Sequence, residues 1–313
     1  MYNQAKWFFD WKRQLQEELD SGSKIAKTEK GPVEYAIYGD SGPVLACLHG
    51  APGGYDQVLP FFSELVQEGF RILAWSRPGY LKTPLSVGRT VDEQVEVLAS
   101  LLDSLDIDKV FIVGVSAGGP PAIQFAAHYP NRTKALVTVC AVSKRYDMGP
   151  EKKLIQVVTH MVACDPVSWL YNLFVDHWAS GAFYMMIRTE STLDELKIQE
   201  LVDTIMRDEK KYNIMMSLIK SMSPISMRKP GFDNDFEQYT KLEDLDFQRI
   251  QAPALVVHGT HDAMVPLSHA ENIIKNVPSA ELYKVEEGIH ILLVSKKADE
   301  MTKKVLAFLN RYV

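Results

Sequence analysis

Residues 110–127 read Val110-Phe-Ile-Val-Gly114-Val-Ser116-Ala-Gly118-Gly-Pro-Pro-Ala-Ile-Gln-Phe-Ala-Ala127. A run of β-branched and aliphatic residues passes directly into a helical pattern, and the junction carries G-x-S-x-G. A turn this tight forces the serine into a strained backbone conformation and leaves no room for side chains beside it. Hence the glycines, and hence a hydroxyl held clear of the sheet. Pro120 and Pro121 fit the first helical turn, where N–H groups lack intrahelical partners in any case. The pentapeptide alone is common by chance; the strand before it and the helix after it make Ser116 a candidate nucleophile.

Outward from that junction, short apolar strands are expected at 44–48, 71–75, 110–115, 135–140, 254–257 and 281–285. Amphipathic helices are expected at 57–67, 91–105, 117–127, 267–275 and 296–309. Such alternation builds an α/β fold, a mostly parallel sheet flanked by helices on both faces. Residues 24–38 precede it without an intervening helix, which predicts an antiparallel hairpin at the sheet edge. The alternation breaks over 143–237, a stretch without a convincing strand, punctuated at Gly149-Pro150, Pro166, Gly181, Pro224 and Pro230-Gly231. It holds nine of the 12 methionines: Met148, Met161, Met185, Met186, Met206, Met215, Met216, Met222 and Met227. The expected organisation is an N-terminal amphipathic helix (1–22), a core (23–142 and 238–313) and a helical cap (143–237).

A serine hydroxyl attacks well only if a base takes its proton and an acid holds that base in one tautomer. Asp262 lies in the loop that ends the strand Ala254-Leu-Val-Val-His258, and His290 lies in the loop after the last strand. These are the candidate acid and base. Six of the other seven histidines have structural readings: His128 and His269 on helices, His160 and His177 in the cap, His258 and His261 shaping the acid loop. The developing oxyanion needs two N–H donors. Ala117 supplies one at a helix N-terminus, and the Gly-rich loop His49-Gly50-Ala51-Pro52-Gly53-Gly54 supplies the other. Pro52 has no N–H, so Ala51 is the candidate. The loop lacks both the Lys-Ser/Thr ending and the spacing of a phosphate cradle.

From Tyr35 to Val313 these pieces resemble the α/β-hydrolase superfamily: H-G-x-P-G at 49–53, R-P-G at 77–79, G-x-S-x-G at 114–118, G-x-x-D at 259–262 and the late His290. The resemblance implies an eight-stranded sheet, a cap inserted after the sixth strand, and a hydrolytic triad that uses no cofactor and no metal. Ser76 stands near where relatives often carry Asp, which leaves hydrogen bonding there open. Ile289 precedes the histidine where relatives often have Gly. A serine nucleophile, rather than Asp, argues against epoxide hydrolase or haloalkane dehalogenase chemistry. The loop at 49–54 is similar to that of proline iminopeptidases, but Ala117 replaces their usual Trp.

A formal charge of −6 gives no electrostatic reason to expect nucleic acid. Cys47 and Cys140 read as buried free thiols, suited to a reducing compartment. No apolar run is long enough to span a bilayer, and no secretory signal pattern opens the chain, so a cytoplasmic location is expected. The cap's aromatic residues and methionines suit an acyl or aryl group, with Trp178, Tyr184 and Met185 as candidate substrate contacts. An amine-binding cap would instead turn one of Asp165, Asp176, Glu190 or Asp203 toward the pocket. Hydrolysis of small to medium carboxylic esters is therefore expected. The alternatives are an aminopeptidase acting on short peptides and a ligand receptor on a hydrolase scaffold. Trp7, Trp11, Leu15 and Leu19 recur every four residues and predict a helix over 4–19. Its acidic balance suits packing on the protein's own body, the cap or a second subunit better than a membrane surface.

Overall fold

The computed structural model describes residues 2–147 and 164–313, with side chains from residue 5 onward. Met148, Gly149, Pro150, His160 and Met161 lie outside the described residues. Eight strands form one sheet: β1 (Lys24–Thr28), β2 (Gly31–Tyr38), β3 (Val44–Leu48), β4 (Arg71–Trp75), β5 (Val110–Val115), β6 (Thr133–Val139), β7 (Ala254–Gly259) and β8 (Ala280–Val285). Their order is β1-β2-β4-β3-β5-β6-β7-β8. The β1–β2 hairpin and the β2–β4 pairing are antiparallel, and every other pairing is parallel. The edge hairpin expected over 24–38 is therefore present.

Strand periodicity sorts the core onto two faces. Val44, Ala46 and Leu48 of β3 join Val110 and Ile112 of β5 in one cluster, with α3 (Val91–Ser104) and α4 (Gly119–His128) over them. Leu45 and Cys47 join Phe111 and Val113 in the other, under α2 (Tyr55–Gln67) and a C-terminal helix at 298–309. A strand covered on both sides needs apolar residues at every position, so all five residues of β3 are buried. Cys47 and Cys140 are buried free thiols, and Cys164 is exposed.

The insertion between β6 and β7 is helical: α5 (Asp165–His177), α6 (Ala179–Glu190), α7 (Glu195–Arg207), α8 (Glu209–Lys220) and α9 (Lys229–Thr240). Asp194 and Asp208 cap α7 and α8 by accepting from the N–H groups of Lys197 and Lys211. These helices have their own core, which includes Phe183, Ile187, Leu201, Ile205 and Met215. Ile289, Ile291 and Val294, on the segment after β8, belong to that same cluster. The loop carrying His290 is thus packed into the insertion.

The N-terminal helix α1 (Tyr2–Gly22) docks on the insertion. Phe8 meets Trp169 edge-on at 5.8 Å, Lys12 pairs with Asp165 at 2.5 Å, and Tyr55 donates its hydroxyl to the Leu19 carbonyl. Trp11 and Leu15 are half-buried and Leu19 is buried, whereas Trp7, expected on the same face, is exposed. Among the described residues, no helix is long and apolar enough to cross a membrane.

Candidate active site

Ser116 begins the single turn of 3₁₀ helix between β5 and α4, with φ +51. That left-handed value is costly for a residue with a Cβ. The glycines beside it are closely crowded. A Cβ on Gly118 would lie 2.2 Å from the Leu48 carbonyl oxygen, and one on Gly114 would lie 2.6 Å from Ala122 Cβ. Val142 N–H donates to the Ser116 carbonyl at 3.0 Å, which ties the turn to the chain leaving β6.

Ser116, His290 and Asp262 come together across 174 residues of sequence. His290 Nε2 is 3.0 Å from Ser116 Oγ, and His290 Nδ1 is 2.8 Å from Asp262 Oδ2. Asp262 Oδ1 accepts the N–H groups of Met264 and Val265 at 2.9 and 2.8 Å, which fixes its carboxylate. A carboxylate accepts only, so Nδ1 carries the proton and Nε2 offers its lone pair to the serine. Burial pulls the His290 pKa down, but the charge and hydrogen bond of Asp262, together with Glu190, outweigh it and raise the pKa. Burial pushes Asp262 up, and the charge and hydrogen bond of His290 overcome that and hold it below the ordinary value. His258 shapes the acid loop, its Nε2 donating to the Val265 carbonyl at 2.8 Å.

The loop after β3 crosses directly over the serine. A Cβ on Gly50 would sit 3.2 Å from Ser116 Cβ. Gly50 N–H is taken by Gln57 Oε1 at 2.9 Å, whereas no acceptor among the described residues meets Ala51 N–H. Ala117 N–H lies in the first turn after the strand, where intrahelical acceptors are missing. His49 braces the loop. Its Nε2 accepts Arg77 N–H at 3.0 Å while Nδ1 donates to the Gly50 carbonyl at 2.7 Å. Burial and the nearby Arg77 charge hold its pKa well below the usual range, so the ring is neutral.

Sequence reasoning missed the buried ions that tie the insertion to this loop. Arg77 binds Asp235 of α9 through both guanidinium nitrogens and donates Nε–H to the His49 carbonyl at 3.2 Å. Arg228 grips Asp56 at 3.0 and 2.8 Å and donates to the Gly53 carbonyl at 2.9 Å. Tyr239, also on α9, donates its hydroxyl to the Ala117 carbonyl. Ser76 resolves simply: it donates to Glu34 Oε2 at 2.7 Å, so a carboxylate reaches this position from β2. Only the singular Arg-Pro-Gly run hinted at any of this.

The structure places Trp178, Tyr184 and Met185, the expected substrate contacts, off the buried face of α6. Trp178 and Met185 are 58% and 48% exposed, and the Tyr184 hydroxyl donates to Glu195 at the insertion's surface. Helical geometry gives the reason: α6 buries Ala182, Phe183 and Ile187, and at about 100° per residue Trp178, Tyr184 and Met185 fall off that face. Glu190 falls on it. Of the four acids that could have faced the pocket, Asp176 and Asp203 are exposed and Asp165 is engaged by Lys12 and Ser226. Glu190 instead sits beside the triad. Ser191 bridges Asp262, Ala263 N–H donates to the Glu190 carbonyl, and Thr192 N–H donates to the His261 carbonyl. Burial, then Asp262, raise the Glu190 pKa to about 7 against the opposing pull of His290. Ligand atoms of Cys140, His258 and Asp262 lie within 4.8 Å of one another, a spacing a metal ion could use, although Asp262 is already held by His290.

Comparison with known proteins agrees with this architecture. The family model described as alpha/beta hydrolase fold matches residues 43–297. The uncharacterized hydrolase YcgS of Bacillus subtilis is 29% identical over 285 residues, covering 89% of this chain and 95% of its own. A 2-hydroxy-6-oxononadienedioate/2-hydroxy-6-oxononatrienedioate hydrolase of Burkholderia vietnamiensis is 26% identical over 291 residues, covering 89% and 91%. Among solved structures, an alpha/beta hydrolase fold protein from Nakamurella multipartita superposes with a TM-score of 0.81 at 32% identity, covering 90% of this chain and 97% of its own. The family model spans most of the chain, from β3 past β8: the chain belongs to the α/β-hydrolase fold family.

Proposed function

We propose that the protein is a serine hydrolase that cleaves small to medium carboxylic esters through an acyl-enzyme intermediate. The observation that carries this reading is the continuous chain of contacts Ser116 Oγ–His290 Nε2–His290 Nδ1–Asp262 Oδ2, at 3.0 and 2.8 Å. In the first half-reaction His290 Nε2 takes the Ser116 proton as Oγ attacks the ester carbonyl, and Asp262 stabilises the imidazolium that forms. The carbonyl oxygen becomes an oxyanion between the N–H groups of Ala51 and Ala117, a contribution commonly worth about 3 kcal/mol per donor. The intermediate collapses, His290 returns the proton to the departing alkoxide, and the alcohol leaves. Water then repeats the sequence on the acyl-serine, with His290 as its base, and releases the acid.

Residues 143–237 serve as the cap in this reading. Ile289 and Ile291 support it, because they bind the base-carrying loop into the insertion's core. Ester over prolyl-amide cleavage is favoured by Ala117, which stands where the iminopeptidase-like pattern carries Trp after the nucleophile. A small-molecule ester is the expected partner.

The test is covalent labelling together with a substrate panel. A fluorophosphonate should label Ser116 and fail on Ser116→Ala. Naphthyl or p-nitrophenyl esters should be cleaved in preference to prolyl amides, lactones and vinylogous diketones. Cleavage of prolyl amides without any ester would sink the esterase reading. Labelling without turnover of a broad panel would point to a receptor on a hydrolase scaffold.

A further inference from the structure

Glu190 is a polar group that ester hydrolysis, as derived above, does not use. It is the last residue of α6, and its backbone is held beside the acid loop by the Ala263 N–H and the Ser191–Asp262 bridge. Its Oε2 is buried with no hydrogen-bond partner among the described residues, yet the residue as a whole keeps partial exposure. Ser191 Oγ, next to it, is likewise buried and unpartnered. The groups that act electrostatically on or from Glu190 are Asp262 and His290 on the two loops, Tyr171 on α5, and Cys140 after β6. Among the described residues none of them donates a hydrogen bond to it.

An acceptor removed from water without a replacement donor is a standing cost, and such groups in native proteins call for a ligand, ion or water that completes them. The position narrows the choice. Glu190 is close enough to His290 and Asp262 to act on both electrostatically, so a substrate held at Ser116 is the nearest source of a completing group. Electrostatics narrows it further: Asp262 and Glu190 together disfavour an anion and favour a donor or a cation. A carboxyl with a pKa near 7 also has room to respond, since an arriving cation stabilises its ionised form and deepens the attraction.

Resting on the reading of Ser116, His290 and Asp262 as the triad, we propose that Glu190 is a specificity-determining residue that accepts a hydrogen bond from an ammonium or hydroxyl group carried by the substrate beside its scissile carbonyl. The favoured substrates are then esters of amino or hydroxy acids, and an acyl chain ending in a carboxylate is disfavoured.

The experiment uses the full chain with Ser116→Ala, which binds without turnover, titrated calorimetrically with three 1-naphthylamides of matched shape. These carry butanoyl, 3-hydroxypropanoyl and β-alanyl groups. The β-alanyl compound should bind about tenfold or more tighter than the butanoyl one, with the hydroxy compound between them. Adding Glu190→Gln should cut the β-alanyl advantage about tenfold, and Glu190→Leu should remove both preferences. Equal affinities in the parent, no binding of the donor-bearing compounds, or a preference that survives Glu190→Gln each overturns the proposal. Should Glu190→Leu fail to fold, the isosteric Gln variant carries the test. Turnover of the corresponding naphthyl esters by the Ser116 protein is measured alongside. Discrimination without turnover removes the hydrolase reading and supports Glu190; turnover without discrimination does the reverse.

Discussion

Arg77 and Asp235 form a bidentate ion pair in the interior, Nη1 to Oδ1 at 2.8 Å and Nη2 to Oδ2 at 2.5 Å. The partners are 158 residues apart in sequence and almost wholly removed from solvent. Burying two charges is expensive unless every donor and lone pair finds a partner. Here Tyr80 donates to Asp235 Oδ2, Gln94 Oε1 accepts from Arg77 Nη1, and the His49 carbonyl accepts from Nε. One pair thus joins the loop after β4, the candidate oxyanion loop and the last helix of the insertion.

Removing one partner should be far worse than removing both. Asp235→Ala strands the guanidinium and should lower the unfolding free energy by about 3–5 kcal/mol. Arg77→Met with Asp235→Leu should recover much of that, while ester turnover stays reduced because the His49–Gly54 loop loses its brace. Urea unfolding and kcat/KM on one ester check this. A single Asp235→Ala within about 1 kcal/mol of the parent would mean that the pair is not a clamp.

The base must be neutral to accept the serine proton, so kcat/KM should rise with pH and level off. The midpoint should lie above the ordinary histidine value of 6.5, because the Asp262 charge outweighs burial at His290. Asp262→Asn removes that charge, leaves Glu190 as the remaining group that raises the pKa against burial, and should move the midpoint down. The rate should also fall by about 10⁴, since Nδ1 loses the partner that fixes its tautomer. A pH–rate profile of both proteins decides it. An unshifted midpoint in the variant would rule out His290 as the titrating base.

Most of the sheet could be read because its strands are buried on both faces and therefore apolar throughout, as in Val44–Leu48 and Val110–Val115. Ser116 was equally visible, since a strand-to-helix turn without a loop admits few sequences. Asp262 and His290 followed as polar residues just beyond apolar strands. The insertion was harder. Its helices are amphipathic around their own core, so Trp178 and Met185 looked like pocket residues while the register of α6 turns them outward. Glu190 could be named but not oriented, because its direction depends on the Ser191–Asp262 bridge. Arg77 and Arg228 were invisible as buried ions because their carboxylates come from remote segments.

Ser116 holds a left-handed backbone that glycine adopts without penalty. Ser116→Gly should therefore be more stable than Ser116→Ala by about 1 kcal/mol, although both lose labelling and turnover. Thermal melts of the two inactive variants measure the strain directly. If the alanine variant is as stable as the glycine variant, the turn stores no strain at this residue.

Glu190 makes a stability prediction that does not depend on substrate. Its pKa is about 7 in the fold against an ordinary 4.5, so between those values the folded state holds a proton that the unfolded chain has released. Stability from this group is fully present below pH 4.5 and declines as pH rises through 7. Glu190→Gln has no proton to lose and escapes the decline. Relative to wild type the variant should gain about 2 kcal/mol between pH 5 and pH 8, somewhat less than the full shift implies because Glu190 keeps partial exposure. The other titrating groups are common to both proteins and largely cancel in the difference. Urea unfolding of both proteins at the two pH values gives that difference. Parallel pH slopes would show that the Glu190 carboxyl is not held protonated by its surroundings.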